Sequence, residues 1–277
     1  MLVIGAMINT SVKGVDEVIE SRDENRLVKI AGTQIEYGAK MLALNCGSRI
    51  RTEPEDMEWM IKTIQKSLSV AICIDSPNPD AFKAGLKAHK DDFGKPLVNS
   101  ITAEQDRIEA ILPLVKLYDT TVVGLLMDER GMPREAEEKL KCAVKIFDAL
   151  DEYGVSKEKV YLDPLLFPVS VDSQNGNNFL TTLKAIKTTY PQAKTICGLN
   201  NISFGLPEQE LINHTFVAMC GALGMDAVFI EKTKVTGAAF KAIELLLGND
   251  DYSLDYLKAY REEKLSIYKK EDNYVCN

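Results

Sequence analysis

Residues 96–128, PLVNSITAEQDRIEAILPLVKLYDTTVVGLLMD, contain the unit that decides the fold. PLVNSIT and TVVGLLMD are short, apolar, β-rich runs. Between them AEQDRIEAILPLVKLYD places Ile108, Ile111, Leu112 and Val115 at helical spacing. Strands that are apolar on both faces and joined through an amphipathic helix pair in parallel, with a right-handed crossover. The alternation extends in both directions: LVIGAMIN from Leu2, MLALNCG from Met41, SVAICIDS from Ser69, VYLDPL from Val160, KTICGLNN from Lys194 and AVFIEK from Ala227 are further runs of the first kind. DENRLVKIAGTQIEYG from Asp23, with Leu27, Ile30 and Ile35 near one face, is another intervening helix. Eight such units in about 250 residues match an α/β fold of the (β/α)₈ TIM barrel kind. A doubly wound open sheet is the competing arrangement. No Pro/Gly/Ser-rich linker interrupts the pattern, so residues 1–277 read as one domain. DYSLDYLKAYREEKL, near the C-terminus, reads as an extra helix whose apolar positions would cap the barrel or meet a second subunit.

Composition narrows the function. The 277 residues are 45% hydrophobic and 27% charged, which supports a full core and excludes disorder, collagen and coiled coil. Lys and Arg total 33 against 41 Asp and Glu, and the net charge of -8 repels phosphate backbones. Nucleic acid is not an expected partner. No apolar run reaches the roughly 20 residues that span a bilayer, and MLVIGAMIN carries no basic stretch before its apolar residues. Cys46, Cys73 and Cys197 fall in strand-like runs where disulfide geometry is hard to supply. The expectation is a soluble cytoplasmic protein with reduced thiols.

In a parallel barrel, the residues that finish the strands converge on one face. The expected strand ends are Asn9, Asn45, Asp75, Asn99, Asp128, Asp163 and Asn201. This set offers amide donors, amide acceptors and carboxylate acceptors, without a strong nucleophile. It suits a heterocycle. An exocyclic amine beside a ring N–H presents two adjacent donors, which Asp75 or Asp163 would accept in bidentate fashion. A ring carbonyl and nitrogen need an amide, which Asn99 or Asn201 supplies. Taken singly, each residue also has a local role open to it, because Asp and Asn start turns and cap helices. Asp75 precedes Ser-Pro-Asn-Pro and Asp163 precedes Pro, which removes a backbone donor and weakens the local role there.

Other chemistries find little support. His89 and His214 read as ordinary helix-surface residues, without metal-ligand spacing to another His, Cys or carboxylate. The nucleophile elbow, the P-loop and the dinucleotide fingerprint are missing from the sequence. Lys232 and Lys234 follow the eighth strand as candidates for Schiff-base chemistry, with solvated loop charges the plainer reading. Cys46 and Cys197 lie near the expected mouth, and as strand cysteines without a basic neighbour they read as inert.

Seven segments in order, LVIGAMIN, LALNCG, ICIDSPN, VNS, YLDPL, CGLNNISFGLP and the LIN and TF that follow it, resemble the pterin-binding methyltransferases, which move a methyl group between tetrahydrofolate and a corrinoid protein. The resemblance spans nearly the whole chain. It implies a barrel of the pterin-binding type, with Asp75, Asn99 and Asp163 reading the pterin ring and Gly198 lining it. Asn201 would hydrogen-bond near N5 as the catalytic amide. It also implies tetrahydrofolate or methyltetrahydrofolate as substrate, a corrinoid carried by a partner protein, and a homodimer. No metal site is implied. Dihydropteroate synthases share the barrel, but they are expected to carry a Lys on the seventh strand and Ser-x-Arg on the eighth, where this chain reads CGLNNIS and VFIEKTK.

The chain departs from the family pattern in four places. Ala6 stands where a Glu is usual, Ala43 where an Asp is usual, Asn200 where a Ser is common and Gln209 where an Arg often follows. Charge is stripped from the pocket while the ring readers stay. These departures leave open a modified pterin, another methyl carrier, or a pterin-binding homologue that has lost transfer activity.

Overall fold

The computed structural model describes residues 1–231 and 233–265, with residues 233–236 described as backbone only. Eight parallel strands close into a barrel: β1 (Leu2–Asn9), β2 (Met41–Asn45), β3 (Ala71–Asp75), β4 (Leu97–Ile101), β5 (Thr121–Leu125), β6 (Val160–Asp163), β7 (Lys194–Gly198) and β8 (Ala227–Ile230), with β8 pairing back onto β1. The competing open sheet is thereby excluded. Helices α1 (Val15–Glu20) and α2 (Glu24–Glu36) follow β1, and α3 (Glu53–Ser67) and α4 (Pro79–Ala88) follow the next two strands. Then come α5 (Gln105–Leu117), α6 (Ala136–Tyr153), α7 (Asn175–Thr189), α8 (Gln209–Ala222) and α9 (Thr233–Leu246), one after each remaining strand.

Strand alternation explains why the barrel is packed inside and polar at its mouth. Ile4, Met41, Ala43, Ala71, Cys73, Leu97, Val123, Ile196 and Ala227 form a buried cluster, with Ala6, Leu125, Tyr161 and Phe229 against it. These are the inward positions. Two residues further along each strand, the next inward positions are Asn45, Asp75, Asn99, Asp163 and Gly198. A second, larger core lies between strands and helices, where Ile108, Ile111, Leu112 and Val115 of α5 and Leu27 of α2 are buried as their spacing predicts.

The extra C-terminal helix forms as α10 (Leu254–Arg261). It rests on α9 and on the end of α2, with Ala259 buried and Leu254, Leu257 and Tyr260 exposed. That position is on the flank, so α10 does not cap the barrel mouth.

Candidate active site at the barrel mouth

The centre of the site is Asp75, the last residue of β3. Its Oδ1 accepts from Asn99 Nδ2 at 3.0 Å and its Oδ2 from Asn45 Nδ2 at 3.1 Å. The three strands that carry these residues are neighbours, and Asp75 pairs directly with Asn99 in the β3–β4 register. Neither bond is local in the chain, so Asp75 does not act as a turn cap. The following helix is capped independently: Asn78 accepts from Asp80 N at 3.0 Å, and Pro79 fills the first helical position. A cap of this kind contributes about 1 kcal/mol.

The loops beyond β3 and β4 are tied together by one cation. Arg107 donates Nε to the Ser100 carbonyl at 3.0 Å, Nη2 to the Ser76 carbonyl at 3.0 Å and Nη1 to the Pro77 carbonyl. Buried Glu53 adds a further support, accepting from Ser76 Oγ at 2.6 Å. Burial raises the Asp75 carboxyl above its ordinary range; the Asn45 and Asn99 amides act in the opposite direction, and the Glu53 charge adds to the rise.

Asp163 ends β6. Its Oδ1 accepts from Leu165 N at 2.8 Å across Pro164, so part of its capacity serves a local turn even with proline next in sequence. Burial pushes its acid up to about 7, held back by the Leu165 N–H and by the charge of Lys139. Both carboxylates therefore have lost most of their water and still have acceptor positions to fill. A donor-rich ligand would relieve that cost.

Asn201 corrects the expectation that it finishes the seventh strand. β7 stops at Gly198, and Asn201 lies in the short 3₁₀ turn Leu199–Ser203 that follows. The residue is exposed, and among the described residues its side-chain amide has no hydrogen-bond partner. A Cβ on Gly198 would lie 3.2 Å from Asn201 Nδ2. The missing side chain at 198 is what lets the Asn201 amide lean over the mouth.

Three other expectations need correction: the place of Asp128 and the surface positions of His89 and His214. β5 ends at Leu125, and Asp128 lies in the loop beyond it, bound to Arg130 and Lys145, which hold its carboxyl far below the carboxylate range. Asn9 does finish β1 as expected, and its Oδ1 accepts from Ser11 N at 2.9 Å. His89 is no surface residue: its side chain is fully buried at the end of α4, and Nε2 accepts from Ile72 N at 3.3 Å. His214 is half-buried, and its Nε2 is enclosed without a partner. Lys232 and the side chain of Lys234 lie outside the described residues. Cys46 follows β2 with Arg49 and Arg22 near it, yet burial still pushes its thiol up to about 12; burial likewise pushes the fully buried Cys197 thiol well above its ordinary value. Both are protonated and poor nucleophiles.

Two residues that the sequence reading did not choose belong to the site. Asn45 was visible as a strand end, and it proves to be the second amide on Asp75. Lys139 shares an apolar helical stripe with Cys142, Ala143 and Ile146, a pattern legible in advance as an inward lysine. Gln209, exposed at the start of α8, and Asn200, whose Oδ1 accepts from Glu231 N at 3.4 Å, stand at the departures noted above.

A family model described as pterin binding enzyme matches residues 7–231, the barrel from its first strand to the end of its last. The chain belongs to the pterin-binding enzymes. Within that family it is 32% identical over 270 residues to the methylcorrinoid:tetrahydrofolate methyltransferase of Eubacterium limosum, covering 96% of this chain and 98% of the relative. It is 27% identical over 248 residues to the methionine synthase of Mycobacterium tuberculosis, spanning 85% of this chain but 21% of that much longer protein. These likenesses put the chain among the pterin-binding methyltransferases. The dihydropteroate synthase of Xanthomonas albilineans solved with 4-aminobenzoic acid superimposes with a TM-score of 0.69 at 18% identity, over 89% of this chain and 92% of that one. At that identity the likeness speaks for the barrel alone.

Proposed function

We propose that the chain, acting as one domain, transfers a methyl group between N5 of tetrahydrofolate and the cobalt of a corrinoid bound to a separate protein. The observation that carries this reading is the Asp75 carboxylate held between the Asn45 and Asn99 amides on the inner face of the mouth. Two amides aligned on a carboxylate leave each of its oxygens a further lone pair. The 2-amino group and N3–H of a pterin present two parallel donors to match. Asp163, across the mouth, and Asn99 are placed to read other edges of the same ring system, and Gly198 lets it pass close to the backbone.

Asn201 serves the reacting end. Methylation of N5 releases its proton, and the reverse transfer must protonate that nitrogen, because an amine anion is a poor leaving group. A side-chain amide free of other bonds can present its N–H or its oxygen, and so stays in contact with N5 in both protonation states. A positioned donor of this kind is typically worth about 10²- to 10⁴-fold.

The corrinoid protein would dock across the rim beside Asn201. We place the enzyme in the cytoplasm as a homodimer, and the apolar side chains Leu254, Leu257 and Tyr260 exposed on α10 support a partner surface there; light scattering of the purified chain reads the oligomer. The direct test of activity mixes the protein with methyltetrahydrofolate and Co(I) cobalamin and follows the corrin absorbance. Conversion to methylcobalamin is expected. Tight pterin binding with no spectral change would instead favour a homologue without transfer activity, and the loss of carboxylates at Ala6 and Ala43 gives that second reading its motive.

A further inference from the structure

Lys139 is 1% exposed, an ammonium sealed into the wall behind the mouth. It stands in the first turn of α6 on the buried stripe with Cys142, Ala143 and Ile146. Its Nζ donates to the Leu165 carbonyl at 3.4 Å and lies 5.6 Å from the centre of the Phe167 ring. Among the described residues, no carboxylate comes within 4.0 Å of it. A buried ammonium with one long hydrogen bond contributes nothing that a methionine would not provide at lower cost. Stability does not explain why a lysine is there.

The other end of the same residue suggests the reason. Leu165 donates its N–H to Asp163 Oδ1 at 2.8 Å, and its carbonyl faces Lys139. Leu165 has φ +60°, a left-handed conformation that a buried leucine adopts only when its surroundings impose it. Asp163 and Lys139 thus grip the two polar ends of one residue and fix the turn 163–165.

We propose that Lys139 is a positioning residue for the pterin pocket: its ammonium anchors the Asp163–Leu165 turn and supplies the counter-charge that keeps Asp163 a charged acceptor. The inference rests on the pterin-reading role given to Asp163 above. The groups around Asp163 are Lys139 from α6 and the apolar Leu125 from β5, with the Cys197 thiol, which burial keeps protonated, on the outer side of β7; Glu135 lies near Lys139. Burial lowers Lys139 to about 8, with Asp163 the leading charge that resists the fall. For Lys139 the Asp163 charge is the main compensation, and for Asp163 the Lys139 charge adds to the bond from the Leu165 N–H.

The experiment titrates the Asp163 carboxyl by ¹³C NMR in the ligand-free protein, and methyltetrahydrofolate affinity between pH 5.5 and 9.5, in the parent, Lys139→Met and Lys139→Gln. An opposite charge a few ångströms away shifts a carboxyl by about one unit or more. Both variants should therefore move the Asp163 midpoint upward by about one unit, with a five- to tenfold loss of affinity at or below pH 7 that fades by about pH 9. The Gln variant keeps a donor for the Leu165 carbonyl without the charge, so it separates anchoring from electrostatics and serves if the Met variant folds poorly. A uniform loss of affinity with an unmoved midpoint, or no change at all, would overturn the proposal. If the parent bound no reduced folate, the proposed function would fail, while the Asp163 titration would still decide the role of Lys139.

Discussion

Asp75→Asn changes one atom and should disable the pocket. In the parent, Oδ1 and Oδ2 each accept an amide, from Asn99 at 3.0 Å and Asn45 at 3.1 Å. The variant offers one oxygen and one NH₂, so one of those amides must meet a donor instead of an acceptor. Asn45 cannot turn freely, because its own Oδ1 accepts from Gly47 N at 3.1 Å. Asn99 carries no such restraint among the described residues. It should flip, which inverts the donor and acceptor pattern that it presents to the ligand.

The ligand then loses twice. Hydrogen bonds to a charged acceptor contribute about 1.5–3 kcal/mol and neutral ones about 0.5–1.5. Weakening one pterin bond and opposing a donor to the other costs about 3–4 kcal/mol, or about 10²- to 10³-fold in affinity. The fold itself should be little affected, since the same change removes a carboxylate that burial disfavours. Calorimetric titration with methyltetrahydrofolate gives the affinity and a thermal melt gives the stability. An Asp75→Asn protein that bound the ligand within about threefold of the parent, with an unchanged melt, would refute the central contact.

Asn201→Ala should cut methyl transfer by about 10²-fold or more while leaving pterin affinity largely intact; equal losses in stopped-flow turnover and in affinity would reduce Asn201 to a binding contact. Gly198→Ala sets a methyl against Asn201 Nδ2, so it should resemble Asn201→Ala in turnover with a melt close to the parent's, and parental turnover would remove the steric argument. Asp163→Asn concerns pH. The folded acid titrates near 7 against an ordinary 3.8, so the contribution of Asp163 to stability is full below about pH 4 and is lost as pH rises toward 7. The variant should therefore gain melting temperature over the parent at pH 8 and not at pH 4, and a pH-independent difference between the two melts would contradict the raised acidity.

The fold was legible because its signal is repeated eight times. Each strand run is short, apolar on both faces and followed by helical spacing, and β1 to β8 fall inside the expected runs. Asp75, Asn99 and Asp163 were legible for a related reason: inward positions of a strand advance by two, so polar residues two beyond Cys73, Leu97 and Tyr161 had to emerge at the mouth. Local turns were harder to anticipate. Nothing in TVVGLLMD indicates that β5 closes at Leu125, leaving Asp128 to Arg130 and Lys145, contacts made outside the barrel lumen. Likewise the sequence CGLNN does not announce that the chain leaves β7 at Gly198 and curls before Asn201. His89 was misread because a histidine flanked by lysines resembles a solvated helix end, whereas here its ring accepts from the Ile72 backbone.

Alanine at positions 6 and 43 fits the same inward layering. Both residues belong to the apolar filling of the barrel, Ala43 buried beside Cys73 and Ala6 packed against the same cluster. A carboxylate at either position would be enclosed among apolar side chains, where burial disfavours its charged form, and carboxylates at both would also repel each other. A carboxylate at 43 would also lie on the strand next to Asp75, whose acidity is already weakened by burial and by Glu53, and would drive that group further toward its neutral form. With alanine at both positions, Asp75 and Asp163 are relieved of like charge from below. With no carboxylate in the inward layer below them, Asp75 and Asp163 keep more of their charge and are better hydrogen-bond acceptors for it.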